Sequence, residues 1–209
     1  MEQLLATKKG MTHVFDAEGN ALPVTVVEAG PCTVTQLKSL ATDGYEAIQV
    51  MFGTTRREFP VAKSADFTVG QEIKADVFKP GDLLHVAGKT VGKGFAGTVK
   101  RHHFSRGPMA HGSKSHRLPG SIGAGTTPGR VFKGLRMGGR MGGKQATQKN
   151  LVVIQVNPEL NVLLLKGTVP GKPGNLVVLR KTGVFKPKQI SGGAKKEGKT
   201  AAKAAAQKK

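Results

Sequence analysis

Residues 83–158 carry 13 lysines and arginines and not one aspartate or glutamate. Such a stretch cannot fold as an ordinary solvated surface, which interleaves both signs because unopposed cations repel one another. Its counter-charge has to come from outside, and a polyanion supplies it at that density. The flanks differ. Residues 1–82 hold 8 basic against 11 acidic residues, residues 159–209 hold 12 against 2, and the formal net charge is +20.

Both flanks read as β-structure. Residues 72–78 alternate, with Ile73, Ala75 and Val77 on one face and Glu72, Lys74 and Asp76 on the other. Residues 45–52 do the same, setting Ile48, Val50 and Phe52 against Tyr45, Ala47, Gln49 and Met51. Residues 22–27 and 32–37 are further strand candidates, bounded by punctuation such as Gly30-Pro31 and Asp43-Gly44. The turn formers of 16–20 link 12–15 to a strand beginning near Ala21. Beyond position 150 the pattern returns. Residues 151–156 and 162–166 are apolar runs joined by a hairpin loop at 157–161, and 176–180 follows a Pro/Gly turn. Strands on both sides of the basic stretch imply one antiparallel barrel or sandwich interrupted by a long excursion.

The expected organisation is therefore all-β: a body of residues 1–88 plus 150–185, an extended basic loop over 89–149, and a flexible lysine-rich tail over 186–209. The loop holds 14 glycines and 13 basic residues with little periodicity. A loop of that length is expected only where it serves a function, as when basic segments fold against RNA. The tail, mostly lysine, alanine and glycine, cannot build a core, and phosphate contact is its expected use. The opening MEQLLATKKG lacks the long apolar stretch of a secretory signal, and no apolar run exceeds four residues, so no membrane span is expected. Cys32, the single cysteine, reads as a small buried hydrophobe.

Several enzymatic motifs are approached in the loop and none is completed. Gly92, Gly94 and Gly97 satisfy the dinucleotide spacing, but the acid needed for a ribose hydroxyl is missing until Glu159. Gly88-Lys89-Thr90 ends like a phosphate-binding loop, yet Leu83 stands where its first glycine belongs. Lys93-Gly94-Phe95-Ala96 begins like the stacking sequence of an RNA-recognition domain, but Gly97 and Lys100 occupy the later aromatic positions. Ser113, Ser115 and His116 lie close together without an acid to orient the histidine. His102, His103, His111 and His116 lack carboxylate or thiolate neighbours for a metal. No catalytic residue, metal, cofactor or small-molecule substrate is expected. What remains is a flexible basic loop whose glycines let backbone amides approach phosphates while Lys93, Lys100 and Arg101 supply charge.

Blocks of residues in fixed order carry a family resemblance. Residues 91–104 (VGKGFAGTVKRHHF), His111-Gly112-Ser113, residues 115–123 (SHRLPGSIG) and 127–141 (TPGRVFKGLRMGGRM) resemble the bacterial large-subunit ribosomal protein three family. Lys9-Gly10-Met11-Thr12, Asp43-Gly44-Tyr45, Ala47-Ile48-Gln49-Val50, residues 163–167 and Pro170-Gly171 match the same family, so the likeness runs to about Leu179. It implies an antiparallel β-barrel on the subunit surface, packed on rRNA near its 3′ domain, in a cytoplasmic ribosome. It also implies a loop threading through rRNA toward the peptidyl transferase centre, a role in early subunit assembly, and ribosomal proteins fourteen and nineteen as neighbours.

Under that resemblance the rRNA-contacting residues are Lys89, Lys93, Lys100, Arg101, His102, His103, Arg106, His111, Lys114, His116, Arg117, Arg130, Lys133, Arg136, Arg140 and Lys144. The tip is Gly123, Ala124, Gly125, Thr126, Thr127, Pro128 and Gly129. Many members carry Asn and Gln where Gly125 and Thr126 stand, so the family's glutamine methylation has no acceptor at Thr126. Residues 54–67 look shortened, and the tail beyond Phe185 is additional. A free nucleic-acid architectural or chaperone protein is the competing reading, and a nucleotide-dependent enzyme rests only on the incomplete glycine motifs.

Overall fold

The computed structural model describes residues 3–16 and 18–185. The expected tail of 186–209 lies outside the described residues. In chain order the elements are β1 (Gln3–Phe15), β2 (Ala21–Ala29), β3 (Cys32–Lys38), the single-turn α1 (Leu40–Asp43), β4 (Ala47–Phe52), β5 (Thr55–Pro60), β6 (Glu72–Ile73) and β7 (Asp82–Lys89). They continue with β8 (Phe95–Ala96), α2 (Thr98–His102), β9 (Gly139–Arg140), β10 (Gln145–Asn157), β11 (Val162–Lys166) and β12 (Leu176–Val184).

Six strands close into a barrel in the order β1-β12-β7-β10-β11-β2, with β2 returning to β1 and every pairing antiparallel. One strand shows the inward face most clearly. In β7 Asp82, Leu84, Val86 and Gly88 are buried while Leu83, His85 and Ala87 are half-buried. Leu4, Val27, Leu163, Leu165, Val177 and Leu179 fill the interior from the other strands, and Leu5, on the opposite face of β1, is buried as well. Each such side chain contributes about 1.5–3 kcal/mol on burial. A closed ring leaves no unpaired edge, so these strands need no partner.

The first flank departs from a single barrel or sandwich. Residues 32–73 contribute a second, four-stranded sheet in the order β5-β4-β3-β6. Val34, Ile48, Val50 and Phe59 of that sheet join the barrel residues in one continuous core. The strand expected over 72–78 stops after Ile73, and a 3-10 turn over Ala75–Val77 replaces its second half. Among the described residues its only ladder partners are Cys32 and Thr33 of β3, and once they are used the chain turns so that Ala75 and Phe78 are buried. Cys32 is fully buried, and burial pushes its thiol up to about 11, so it packs as a small apolar group.

Two buried charges mark where the barrel meets its loops. Asp82 accepts from Lys181 Nζ at 2.7 Å and from the Lys79 amide at 2.9 Å, tying β7 to β12. Lys8, at a register shift in β1, donates its ammonium to the carbonyls of Val169 (2.8 Å) and Gly171 (3.0 Å). The turn so held reaches the excursion, because Asn175 Nδ2 donates to the carbonyl of Lys89, the last residue of β7 (3.2 Å).

Candidate nucleic-acid interface

The excursion leaves the barrel between two paired strands, and that origin fixes its direction. Lys89 of β7 stands opposite Gln145 of β10, so the basic segment emerges as two antiparallel limbs. Beyond the barrel the limbs stay zipped. The Thr90 amide donates to Lys144 O (2.9 Å), the Lys93 amide to Met141 O (2.8 Å), and the Met141 amide returns to Gly94 O (2.9 Å). β8 and β9 extend the zip by pairing Phe95 with Arg140 and Ala96 with Gly139. Only glycine fits at one rung, since a Cβ on Gly142 would run into the Val91 carbonyl oxygen and its φ is +71°. The root is therefore a ribbon held by backbone rungs, and none of its residues belongs to the hydrophobic core of the body.

A clamp closes the next level. Arg101 Nη1 donates to the carbonyl of Met137 at 2.8 Å, and His102 Nε2 lies 2.9 Å from the same oxygen. The Arg136 guanidinium sits over the Phe104 ring at 5.2 Å, bridging the limbs again. Farther out, the first limb folds back on itself: the Gly107 amide donates to His116 O (3.0 Å), and His116 Nδ1 lies 2.9 Å from Pro108 O. Residues 123–129 form an exposed turn, with only Pro128 half-buried, closed by the Gly129 amide on Gly125 O at 3.1 Å.

The structure sorts the sixteen residues singled out from the sequence into two groups. Lys89, Lys93, Lys100, His103, Arg106, His111, Lys114, Arg117, Arg130, Lys133, Arg136, Arg140 and Lys144 are exposed. Arg101, His102 and His116 are half-buried, and each of these three reaches a backbone carbonyl. They shape the arm. None of the arm's lysines or arginines forms an ion pair with a described carboxylate; the described ion pairs all lie in the body, such as Lys9 with Glu28 and Lys38 with Glu58. The arm thus presents cations to solvent in an extended array, which suits a polyanion whose charges are likewise spread along a chain.

A further cation at the root of the arm lies outside the stretch. Arg57, on β5 of the second sheet, lines a groove of about 610 Å³ with Lys89, Gln145 and Asn175 at the root of the arm. The adjacent cations Arg56 and Arg57 are the sequence signal, though nothing in the sequence places them beside residue 89. Among the described residues no three or more His, Cys, Asp or Glu side chains are grouped to hold a metal ion. No described helix is long and apolar enough to cross a membrane.

The family model described as Ribosomal protein L3 matches residues 24–162, more than half of the chain. The large ribosomal subunit protein uL3 of Gloeothece citriformis is 52% identical over 198 residues, covering 83% of this chain and 93% of that protein. The protein of the same name from Nostoc punctiforme is 51% identical over 197 residues, covering 83% and 94%. That from Thermosynechococcus vestitus is 51% identical over 197 residues, covering 83% and 93%.

Proposed function

The chain belongs to the ribosomal protein L3 family, and from that premise we propose that it is a structural constituent of the large ribosomal subunit that grips rRNA with its basic arm. It acts in the cytoplasm as part of the ribosome and is not an enzyme. The barrel and second sheet form the body. Residues 89–149 enter the rRNA, Gly123–Gly129 lead toward the peptidyl transferase centre, and early subunit assembly depends on the contacts made on the way. Ribosomal proteins fourteen and nineteen are the expected protein neighbours.

The observation that carries this reading is the zipped, acid-free arm, with thirteen of the sixteen candidate side chains exposed. A free nucleic-acid chaperone would also be basic. It would gain nothing from a root of paired limbs and a carbonyl clamp that aim one turn in one direction. Phosphate contacts fix position and orientation on an RNA, and a preshaped arm uses them in that way.

Co-sedimentation tests the proposal. Tight retention of the chain in large subunits through high-salt washing is expected. A predominantly subunit-free pool would sink the ribosomal role and favour the chaperone reading.

A further inference from the structure

The arm carries more than charge. Nine of the large apolar side chains that stand exposed lie on it, between Val91 and Met137. Phe95 is 84% exposed and Phe132 is 56% exposed. Phosphate contacts make no use of such groups, so the partner must offer apolar surface alongside its anions. An RNA duplex does not offer base faces: its A-form helix displays phosphates, 2′-hydroxyls and base edges, while the faces are covered by stacking. Unpaired nucleotides expose both faces.

The surroundings of the two phenylalanines fit that chemistry. The Arg130 guanidinium lies over the Phe132 ring at 5.3 Å, backing one face of the ring with a planar cation. Phe95 ring atoms come within 3.4 Å of where a Cβ on Gly138 would stand, so the ring rests on the opposite limb at a glycine and keeps most of its surface open. Both positions sit among exposed cations, with Arg140 paired to Phe95 and Lys133 adjoining Phe132. Aromatic rings beside cations are how single strands are held, with bases stacking on the rings while the charges follow the backbone.

We propose that Phe95 and Phe132 are stacking platforms for unpaired nucleobases, so that the arm selects bulged or single-stranded RNA over continuous duplex. The proposal rests on the RNA reading above and names the class of RNA that the arm takes. The incomplete stacking sequence at 93–96 belongs to a different fold, yet its Phe95 is kept in the open where a base can reach it.

The test uses the full chain and two RNAs: a continuous hairpin, and the same hairpin with a short adenine bulge containing one 2-aminopurine. The wild type is expected to prefer the bulged RNA by about tenfold and to change the 2-aminopurine fluorescence on binding. The pair Phe95→Leu and Phe132→Leu keeps the apolar character and the charge of two exposed positions while removing the rings. It is expected to bring the preference close to unity with the salt dependence unchanged. Equal binding of both RNAs by the wild type overturns the proposal and leaves an apolar protein neighbour as the occupant. A preference that persists in the double leucine variant overturns it too. If the wild type binds neither RNA in a salt-dependent way, the RNA reading itself falls, and this proposal with it.

Discussion

The barrel and the arm belong to one chain and are held together by different physics. In the barrel, Leu84 and Val86 from β7 meet Leu163, Leu165, Val177 and Leu179 in a sealed interior, and the ring of strands has no open edge. In the arm, large apolar side chains face solvent and order comes from backbone rungs and a carbonyl clamp. The barrel carries its own stability. The arm carries a shape, and its charge is balanced by whatever it binds. Damage to the first should therefore appear in unfolding, and damage to the second in binding.

The largest effect expected is in the core. Leu163→Ala should lower the unfolding free energy by about 3 kcal/mol through lost burial and a cavity. Leu118→Ala, at an exposed arm position, should change it by less than about 0.5 kcal/mol. Denaturant titration of both variants checks the contrast, and equal losses would mean that the arm shares the barrel's stability. Next comes Asp82→Ala, expected to cost about 2 kcal/mol because Lys181 and the Lys79 amide lose their acceptor. A thermal melt reads this loss, and rRNA affinity at temperatures where the variant is folded should stay unchanged.

Gly142→Ala should show the opposite signature. Its Cβ meets the Val91 carbonyl at a positive φ, so the rung must open at about 1–3 kcal/mol of strain. We expect weaker rRNA binding with the barrel's cooperative unfolding transition preserved. A variant that loses the barrel transition instead would contradict the division between the two regions.

The smallest effect is on the second sheet. The Tyr45 hydroxyl donates to Glu58, which with Lys38 nearby holds this carboxyl below the usual glutamate range. Because the folded state prefers the ionised form, the contribution is present above the ordinary glutamate pKa. It is lost as pH falls through the lowered folded value. The stability difference between the wild type and Glu58→Gln should accordingly shrink on acidification. The group is exposed and solvent screens it, so the difference is small at any pH.

What the sequence disclosed follows the same divide. Residues 22–27, 32–37, 151–156 and 162–166 all lie in strands, because half-buried antiparallel strands write their burial into alternation or short apolar runs. The hairpin at 157–161 was legible from its turn residues, and β10 and β11 pair across it. β7 was not legible, because Asp82 and Gly88 interrupt its inward apolar positions and only the neighbouring strands show that Gly88 faces inward. The separate sheet of β3–β6 was hidden for a related reason: alternation says that a strand has a buried face, not which sheet covers it. In the arm, composition revealed the charge and the missing acids. It could not separate Arg101, His102 and His116, which bond to backbone carbonyls, from the exposed cations around them. That distinction depends on which residues are brought side by side by the zipped limbs and by the first limb folding back on itself.

The division is tested most directly by excising residues 106–135 and rejoining the limbs through a short glycine linker beside Phe104 and Arg136, which already meet at 5.2 Å. The excision removes five cations and spares the root and the clamp. Binding to large-subunit rRNA is then followed across a salt series, alongside thermal unfolding. The account predicts an unchanged unfolding midpoint and a salt slope shallower by about four units, at about 0.7–0.9 for each lost phosphate contact. An unchanged slope, or a barrel that no longer unfolds cooperatively, would contradict it.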